Sequence, residues 1–428
     1  MTNYQWLVLF AAWLGWGFDV FDGLLFNYVA PNCVPTLLHL QIGSPEAKAA
    51  TLQWTGLLTS VLLIGWAIGG IAFGRVADKI GRTKTLLLTM SMYAVGTALC
   101  AVAPNLWALM AFRVIASLGI GGEWAAGAAM VAEVMPEKRR IEAGALLYTS
   151  APIGLFLATF VNNLIQKTLV PGSPETSWRY VFLCGLIPAV VAFIIRAFVK
   201  EPERWKAAAE GAHAKVSELF SSAYIKTTAS GLAMAAVALI MWWSCNAFIP
   251  TVATGLSLVA GLDKEAQQAQ TLTYIKIATN SFNLGGLFGT LLTIPVAKVL
   301  GRRPMFMIYF LASAVALYIT FAAPMDPHTR LYMYFLIGLT IFGIFGSFTF
   351  YLPELFPTRL RGTGAGFCYN AGRFIAAGGP FLVGNVASHK ADSLKEAMHL
   401  LTLLAIVPIL GMFLVPFVIE TKGRDLAD

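Results

Sequence analysis

A chain of 428 residues that is 57% hydrophobic and only 12% charged, with a mean hydropathy of +0.70, has too little polar surface to be a soluble globule. Its formal charge of +8 would suit nucleic acid if it were gathered in one patch, but the basic residues are spread over short loops between apolar runs. That distribution is a membrane topology signal. The five cysteines, Cys33, Cys100, Cys184, Cys245 and Cys368, have no metal-like spacing and read as core packing.

Twelve apolar runs are long enough to cross a hydrocarbon core of ~30 Å as helices. In chain order these spans 1 to 12 are expected at 4–31, 51–73, 85–103, 106–135, 142–165, 178–199, 227–255, 271–298, 305–323, 330–352, 364–388 and 396–419. The first is interrupted by Asp19 and Asp22, with no basic stretch before it and no small-residue cleavage site after it. It is therefore expected to stay as span 1 rather than to act as a signal peptide. Of the 30 Lys and Arg, 20 fall at one face and 8 at the other, while Arg113 and Arg373 lie within spans. The richer face is expected to be cytoplasmic, with both termini inside, in a bacterial inner (plasma) membrane.

A charged island after span 2, Gly74-Arg75-Val76-Ala77-Asp78-Lys79-Ile80-Gly81-Arg82-Thr83-Lys84, has an echo. Gly81-Arg82 recurs as Gly301-Arg302 at a spacing of 220, and Glu133, Pro136 and Arg140 recur as Glu354, Pro357 and Arg361 at 221. Two matches at nearly one offset indicate a duplicated half. The expected organisation is all-α: a six-helix bundle over 1–199, a cytoplasmic linker over 200–226, a second six-helix bundle over 227–419 and a cytoplasmic tail over 420–428. Six spans per half make the halves parallel repeats about a pseudo-two-fold axis along the membrane normal.

The island resembles the loop 2–3 signature of the major facilitator superfamily, and the resemblance covers essentially the whole chain. Glu201-Pro202-Glu203-Arg204-Trp205 and Glu420-Thr421-Lys422-Gly423-Arg424 are similar to segments of its sugar- and organic-acid-porter branch. Asp19-Val20-Phe21-Asp22, Gly119-Ile120-Gly121-Gly122-Glu123-Trp124 and Asn370-Ala371-Gly372-Arg373-Phe374 most resemble the sialate and monocarboxylate proton symporters, then the aromatic-acid and metabolite proton symporters. The resemblance implies the major facilitator fold and proton-coupled symport of a small organic anion. It also implies a part in coupling for Asp22 and Arg113, and for the island a latch that favours the outward-open state.

Ionisable groups within a bilayer are costly and therefore functional candidates. Asp19 and Asp22 stand three residues apart on span 1. Asp22 is expected ~13 Å below the outer surface and Arg113, on span 4, ~10 Å below it. The matching depths bring the two within reach. An arginine keeps its proton while a buried carboxylate's affinity for one changes with its partner, so the pair can act as a proton switch, or as a static ion pair joining spans 1 and 4. Neither charge is duplicated, since an offset of 220 lands near Trp242 and Met333. Glu123 is a further proton-relay candidate, or the partner of a basic neighbour.

Arg373 is the sole basic group well inside the second half, ~14 Å from the inner surface, with Asn370 on its face of span 11. Asn280 and Asn283 share a face of span 8. A buried guanidinium among amides suits a carboxylate, which it binds bidentately; the alternative is a structural bond to backbone carbonyls. Trp243 and Asn246 on span 7, ahead of a break expected at Pro250, are candidate cavity contacts, whereas Lys276 lies near the outer end and can snorkel. At the inner face, Gly74, Arg75, Asp78, Gly81 and Arg82 with Glu133 and Arg140 form the candidate latch, answered by Glu354 and Arg361. Lys298 stands where Asp78 would recur, so the second latch is expected to be weaker or differently built.

The five histidines fall in loops or near a span end, so carboxylates are the expected proton carriers. No nucleotide-binding loop or metal-ligand cluster is present in the sequence, and neither cofactor nor metal is expected. A nucleophile and base at one depth are likewise absent, which argues against an integral-membrane enzyme. The expected partners are a small organic anion, protons and the lipid bilayer, with no nucleic acid, and a monomer is expected to suffice. A neutral-sugar proton symporter and a transporter-like nutrient sensor are the alternatives.

Overall fold

The computed structural model describes residues 2–80, 82–135, 139–187, 190–191, 194, 215–259, 261–357 and 360–423. Gly81 and the greater part of the expected linker and tail lie outside the described residues, as do the side chains of Gly74, Arg75, Asp78, Arg82, Glu123, Glu133 and Arg140.

Spans 1 to 4 are the helices Asn3–Leu37, Pro45–Ile80, Arg82–Ala101 and Leu106–Val134. Span 5 is Arg140–Tyr148 and Ser150–Asn163 followed by a π-helical turn over Leu164–Leu169, and span 6 begins with Pro174–Cys184. In the second half span 7 is Ile225–Asn246 and Ile249–Ser257, span 8 Lys264–Leu300, span 9 Arg302–Ala322 and span 10 Pro327–Glu354. Span 11 is Arg361–Ala376 and Gly378–Ser388; span 12 is Ser393–Leu403 and Ile406–Leu414. Among the described residues, eight of these are long and apolar enough to cross a membrane, while spans 3 and 4 contain the shorter apolar stretches Leu87–Ala101 and Leu106–Gly121.

The helix starts follow local chemistry. Asn105, Asp263 and Asp326 each accept a bond from a backbone amide three residues on, at 2.8, 2.7 and 2.9 Å, satisfying donors that the first helical turn leaves free. Span 7 breaks at Ala247–Phe248, just ahead of Pro250, where the ring removes an amide and crowds the preceding turn. Pro31 and Pro35 do not end span 1, which runs on to Leu37, beyond the expected limit at 31. Neighbouring helices re-satisfy the carbonyls that membrane prolines release.

The repeat is visible in the packing. A Cβ on Gly69 of span 2 would collide with the Leu118 carbonyl of span 4, and one on Gly289 of span 8, 220 residues later, with the Leu339 carbonyl of span 10. Both halves thus use glycine to bring two backbones together, which is the means of helix association where lipid and leucine are equally apolar. Cys33, Cys100, Cys245 and Cys368 are buried free thiols, and Cys184 is half-buried.

The two halves meet along their length. Away from the termini, Gly56 lies against the Pro380 carbonyl, Gly384 against that of Leu52, and Ser60 Oγ donates to Ala377 O at 2.6 Å, joining spans 2 and 11. Thr159 Oγ1 donates to Thr279 Oγ1 at 3.1 Å between spans 5 and 8. At the other end Gly144 packs on Thr349, and Lys298 pairs with Glu142.

Candidate functional site

Span 1 carries Asp19 and Asp22 into the interior, where they are 0% and 1% exposed. They serve different neighbours. Asp22 Oδ2 accepts a hydrogen bond from Thr97 Oγ1 of span 3 at 2.5 Å. Arg113, 1% exposed, reaches the same place from span 4. Its guanidinium donates from Nη1 to the Asp22 carbonyl at 3.3 Å and from Nη2 to the Gly23 carbonyl, and it lies 6.0 Å from the Phe26 ring centre. The matching depths therefore bring Asp22 and Arg113 together, but through the backbone of span 1 rather than as a carboxylate–guanidinium ion pair. Two carbonyls of one helix turn hold the cation at Asp22.

Arg373 is 1% exposed on span 11. Its Nη1 donates to Asn370 Oδ1 at 2.9 Å, and its guanidinium carbon stands 4.5 Å from the ring centres of both Trp66 and Tyr369. Trp66 belongs to the first half, so the cation of one half stacks on a ring of the other. Both rings lie within cation–π distance of the guanidinium. Asp19 lies near enough to act electrostatically on Arg373. Asp22 is thus bonded within its own half.

Aromatic side chains extend from this centre. Trp66 meets Trp243 edge-on at 5.6 Å, and Trp243 meets Trp242 at 4.6 Å. Tyr148 of span 5 and Tyr369 of span 11 touch through their hydroxyls at 3.5 Å. They are 221 residues apart, the spacing of the repeat, so equivalent positions of the two halves meet at the pseudo-two-fold axis. Carrying the offset through spans 5 and 11 would have found them. Trp66 and Thr97 had no such signal, because a single tryptophan or threonine in an apolar span is ordinary packing.

Among the amide candidates, Asn283 is 1% exposed and lies within reach of the Tyr28 hydroxyl, and the Asn280 Oδ1 is buried without a partner among the described residues. Asn246 is buried on span 7, yet no bond among the described residues ties it to the Arg373 cluster. Lys276 is exposed.

At the end that carries the chain termini, the second-half echo of the latch is built around Glu354. Arg302 Nη2 donates to both oxygens of Glu354 at 2.8 and 3.0 Å, and Nε adds a bond to Oε2 at 3.2 Å. Thr421 Oγ1 donates to Glu354 Oε2 at 2.6 Å, while Arg361 Nε donates to the Pro353 carbonyl at 3.2 Å. Glu420 accepts the backbone amides of Arg302 and Arg303 at 2.9 and 3.0 Å, capping span 9. Burial alone would raise the Glu420 carboxyl, but the amides of Arg302, Arg303 and Lys422 and the Arg302 charge hold it below the usual carboxylate range. The second latch, expected to be weaker or differently built, has Glu354 and Arg302 locking spans 9, 10 and the tail within one half. Lys298, which stands in place of the echo of Asp78, reaches the other half and pairs with Glu142 of span 5. Gly81 lies outside the described residues, as do the side chains of Arg75, Asp78, Arg82, Glu133, Arg140 and Glu123.

Comparison with known proteins agrees with this architecture. The family model described as Major Facilitator Superfamily matches residues 6–380. A sialic acid transporter of Escherichia coli is 27% identical over 393 residues, covering 89% of this chain and 87% of its own. A gentisate transporter of Corynebacterium glutamicum is 28% identical over 387 residues, covering 88% of this chain and 80% of its own. The crystal structure of a D-xylose-proton symporter superposes with a TM-score of 0.70 at 19% identity, over 99% of this chain and 100% of that one, which shows the shared fold. On the family match and the two-bundle architecture, the chain is a multi-pass membrane transporter, not an enzyme, and belongs to the Major Facilitator Superfamily.

Proposed function

We propose that the protein is a proton-coupled symporter that imports a small organic anion, a monocarboxylate, a sugar acid such as sialate or an aromatic acid, by alternating access. The observation that carries this reading is Arg373, buried at the seam of the two halves between Trp66 and Tyr369. An ionisable group within a span is a functional candidate by default, and a guanidinium matches a carboxylate's two oxygens. Asn370 orients the guanidinium, the Tyr148 and Tyr369 hydroxyls are donors at the same place, and Trp66 and Trp243 offer rings for a flat cargo.

Asp22 is the proton carrier in this account. When Arg113 swings from the span 1 carbonyls onto the carboxylate it holds the charge; when it withdraws, Asp22 takes a proton. Asp19, facing Arg373, links occupancy of the anion site to that step, and Glu123 is a second relay candidate. The transporters of sialic acid and gentisate among the relatives carry acids by name, in keeping with an acid cargo here. The bias of 20 basic residues over 8 supports cytoplasmic termini in a bacterial inner membrane. The domain limits near 199 and 227 follow the repeat, and one chain holds every site residue, so a monomer suffices.

The test is a competition panel against uptake of a labelled acid into proteoliposomes. Acids of the cargo class compete and neutral sugars do not. Competition by sugars alone would make Arg373 structural and move the assignment to a neutral-sugar symporter; binding without flux would make it a sensor.

A further inference from the structure

The two carboxylate oxygens of Asp22 have unlike surroundings. Oδ2 accepts the Thr97 hydroxyl of span 3, whereas Oδ1 is buried without a partner among the described residues. Oδ1 lies against span 6, since a Cβ on Gly185 would stand 2.7 Å from it and 2.7 Å from the Thr97 methyl. Gly185 follows the Pro174–Cys184 helix, with its amide bonded back to the Phe182 carbonyl at 3.0 Å. A glycine here lets the span 6 backbone close over the carboxyl. Among the described residues, Arg113 of span 4 and the Cys100 thiol of span 3 are the titratable groups acting on Asp22, while Asp19, three residues back on span 1, acts on Arg373.

Thr97 spends its hydroxyl outside its own helix. Thr51, Thr290 and Thr320 return theirs to the carbonyl four residues back, at 2.7, 2.9 and 2.7 Å, which is the ordinary local bond of a helical threonine. A hydroxyl has one proton to donate, and that of Thr97 goes to Asp22. Both substituents on its Cβ are placed, the methyl against Gly185 and the hydroxyl on the carboxyl, which leaves the side chain little rotational freedom.

We propose that Thr97 is a positioning residue for the proton step: its hydroxyl holds Asp22 by Oδ2, so that Oδ1, against the Gly185 backbone, is the atom that takes up and releases the proton. The inference rests on Asp22 being the proton carrier, as proposed above. Protonation forms one O–H bond at Oδ1 and consumes one proton from solution; Oδ2 becomes the carbonyl oxygen and still accepts from Thr97. A hydrogen bond to an ionised oxygen is roughly twice as strong as a neutral one, so Thr97 favours the ionised form and with it release of the proton.

The experiment is an infrared titration of the purified full-length protein in lipid, with the proton as the probe and no cargo. A carboxylic C=O band that appears on acidification and is missing in Asp22→Asn belongs to Asp22. Thr97→Val keeps the shape and removes the donor. Its band is expected at higher frequency, because the Oδ2 carbonyl loses its hydrogen bond, and with a midpoint about one pH unit higher. Thr97→Ser keeps the donor and is expected to titrate like wild type. Thr97→Ala follows Thr97→Val and replaces it should the valine variant not fold. A valine variant unchanged in frequency and midpoint, or an equal displacement in the serine variant, overturns the part given to Thr97. A shift in midpoint without one in frequency puts the proton on Oδ2 and overturns the assignment to Oδ1. Absence of any band that Asp22→Asn removes overturns Asp22 as the carrier, and this inference with it.

Discussion

Replacing Arg373 by lysine keeps the charge and removes the planar fork. The loss of one charge-assisted hydrogen bond, about 1.5–3 kcal/mol, corresponds to a roughly 10- to 100-fold rise in the half-saturating acid concentration. Kinetics of uptake measure it, and an unchanged value returns Arg373 to a structural role. Asp22→Asn cannot carry the proton but preserves the shape that accepts Thr97 and sits beside Arg113. Uphill accumulation is expected to vanish while exchange of labelled for unlabelled acid across the membrane persists; undiminished accumulation would remove Asp22 from the coupling step. The sequence made these two charges legible because, with Asp19, they are the charged residues of the apolar runs 4–31 and 364–388. It did not make legible that Arg113 would rest on the Asp22 and Gly23 carbonyls, nor that Trp66 would cover Arg373 from the other half. Those depend on how two bundles face each other, which no local pattern encodes.

The elements carry their own tests. Glu420 caps span 9 from the tail, and its depressed carboxyl contributes stability only while ionised in the folded protein. That contribution is present above the ordinary glutamate value of about 4.3 and is lost as the pH falls below it, through the lower folded value. Glu420→Gln is therefore expected to melt earlier than wild type at pH 7, by an amount reflecting about 0.5–1 kcal/mol, and to converge with it in acid. Thermal unfolding in detergent at the two pH values decides this, and an equal gap at both would contradict the cap. The Lys298–Glu142 pair is half-exposed, so its worth is at most about 1 kcal/mol. Lys298→Glu is expected to shift the population toward the state open at the terminal face by up to roughly fivefold, and Glu142→Lys in the same chain to restore it. Reaction of a cysteine placed at Thr349 with a thiol reagent reads the shift; no rescue by the double change would deny the pair its gating part.

For the whole molecule, the repeat was the most informative feature of the sequence. An offset of 220 to 221 connected Gly81-Arg82 to Gly301-Arg302, and it reappears as glycine contacts in spans 2 and 8 and as Tyr148 meeting Tyr369. Span ends were less legible, since a membrane helix continues past its apolar stretch and through prolines, as spans 1 and 8 do. The asymmetries matter most for mechanism: Asp22, Arg113 and Arg373 each occur once, so the proposed function would have proton and anion handled by different halves. The direct measurement is accumulation of a labelled organic acid in proteoliposomes under an imposed inward proton gradient, with and without an uncoupler. Accumulation above equilibrium that collapses with the uncoupler is the predicted result. Equal uptake with and without the gradient would contradict proton-coupled symport.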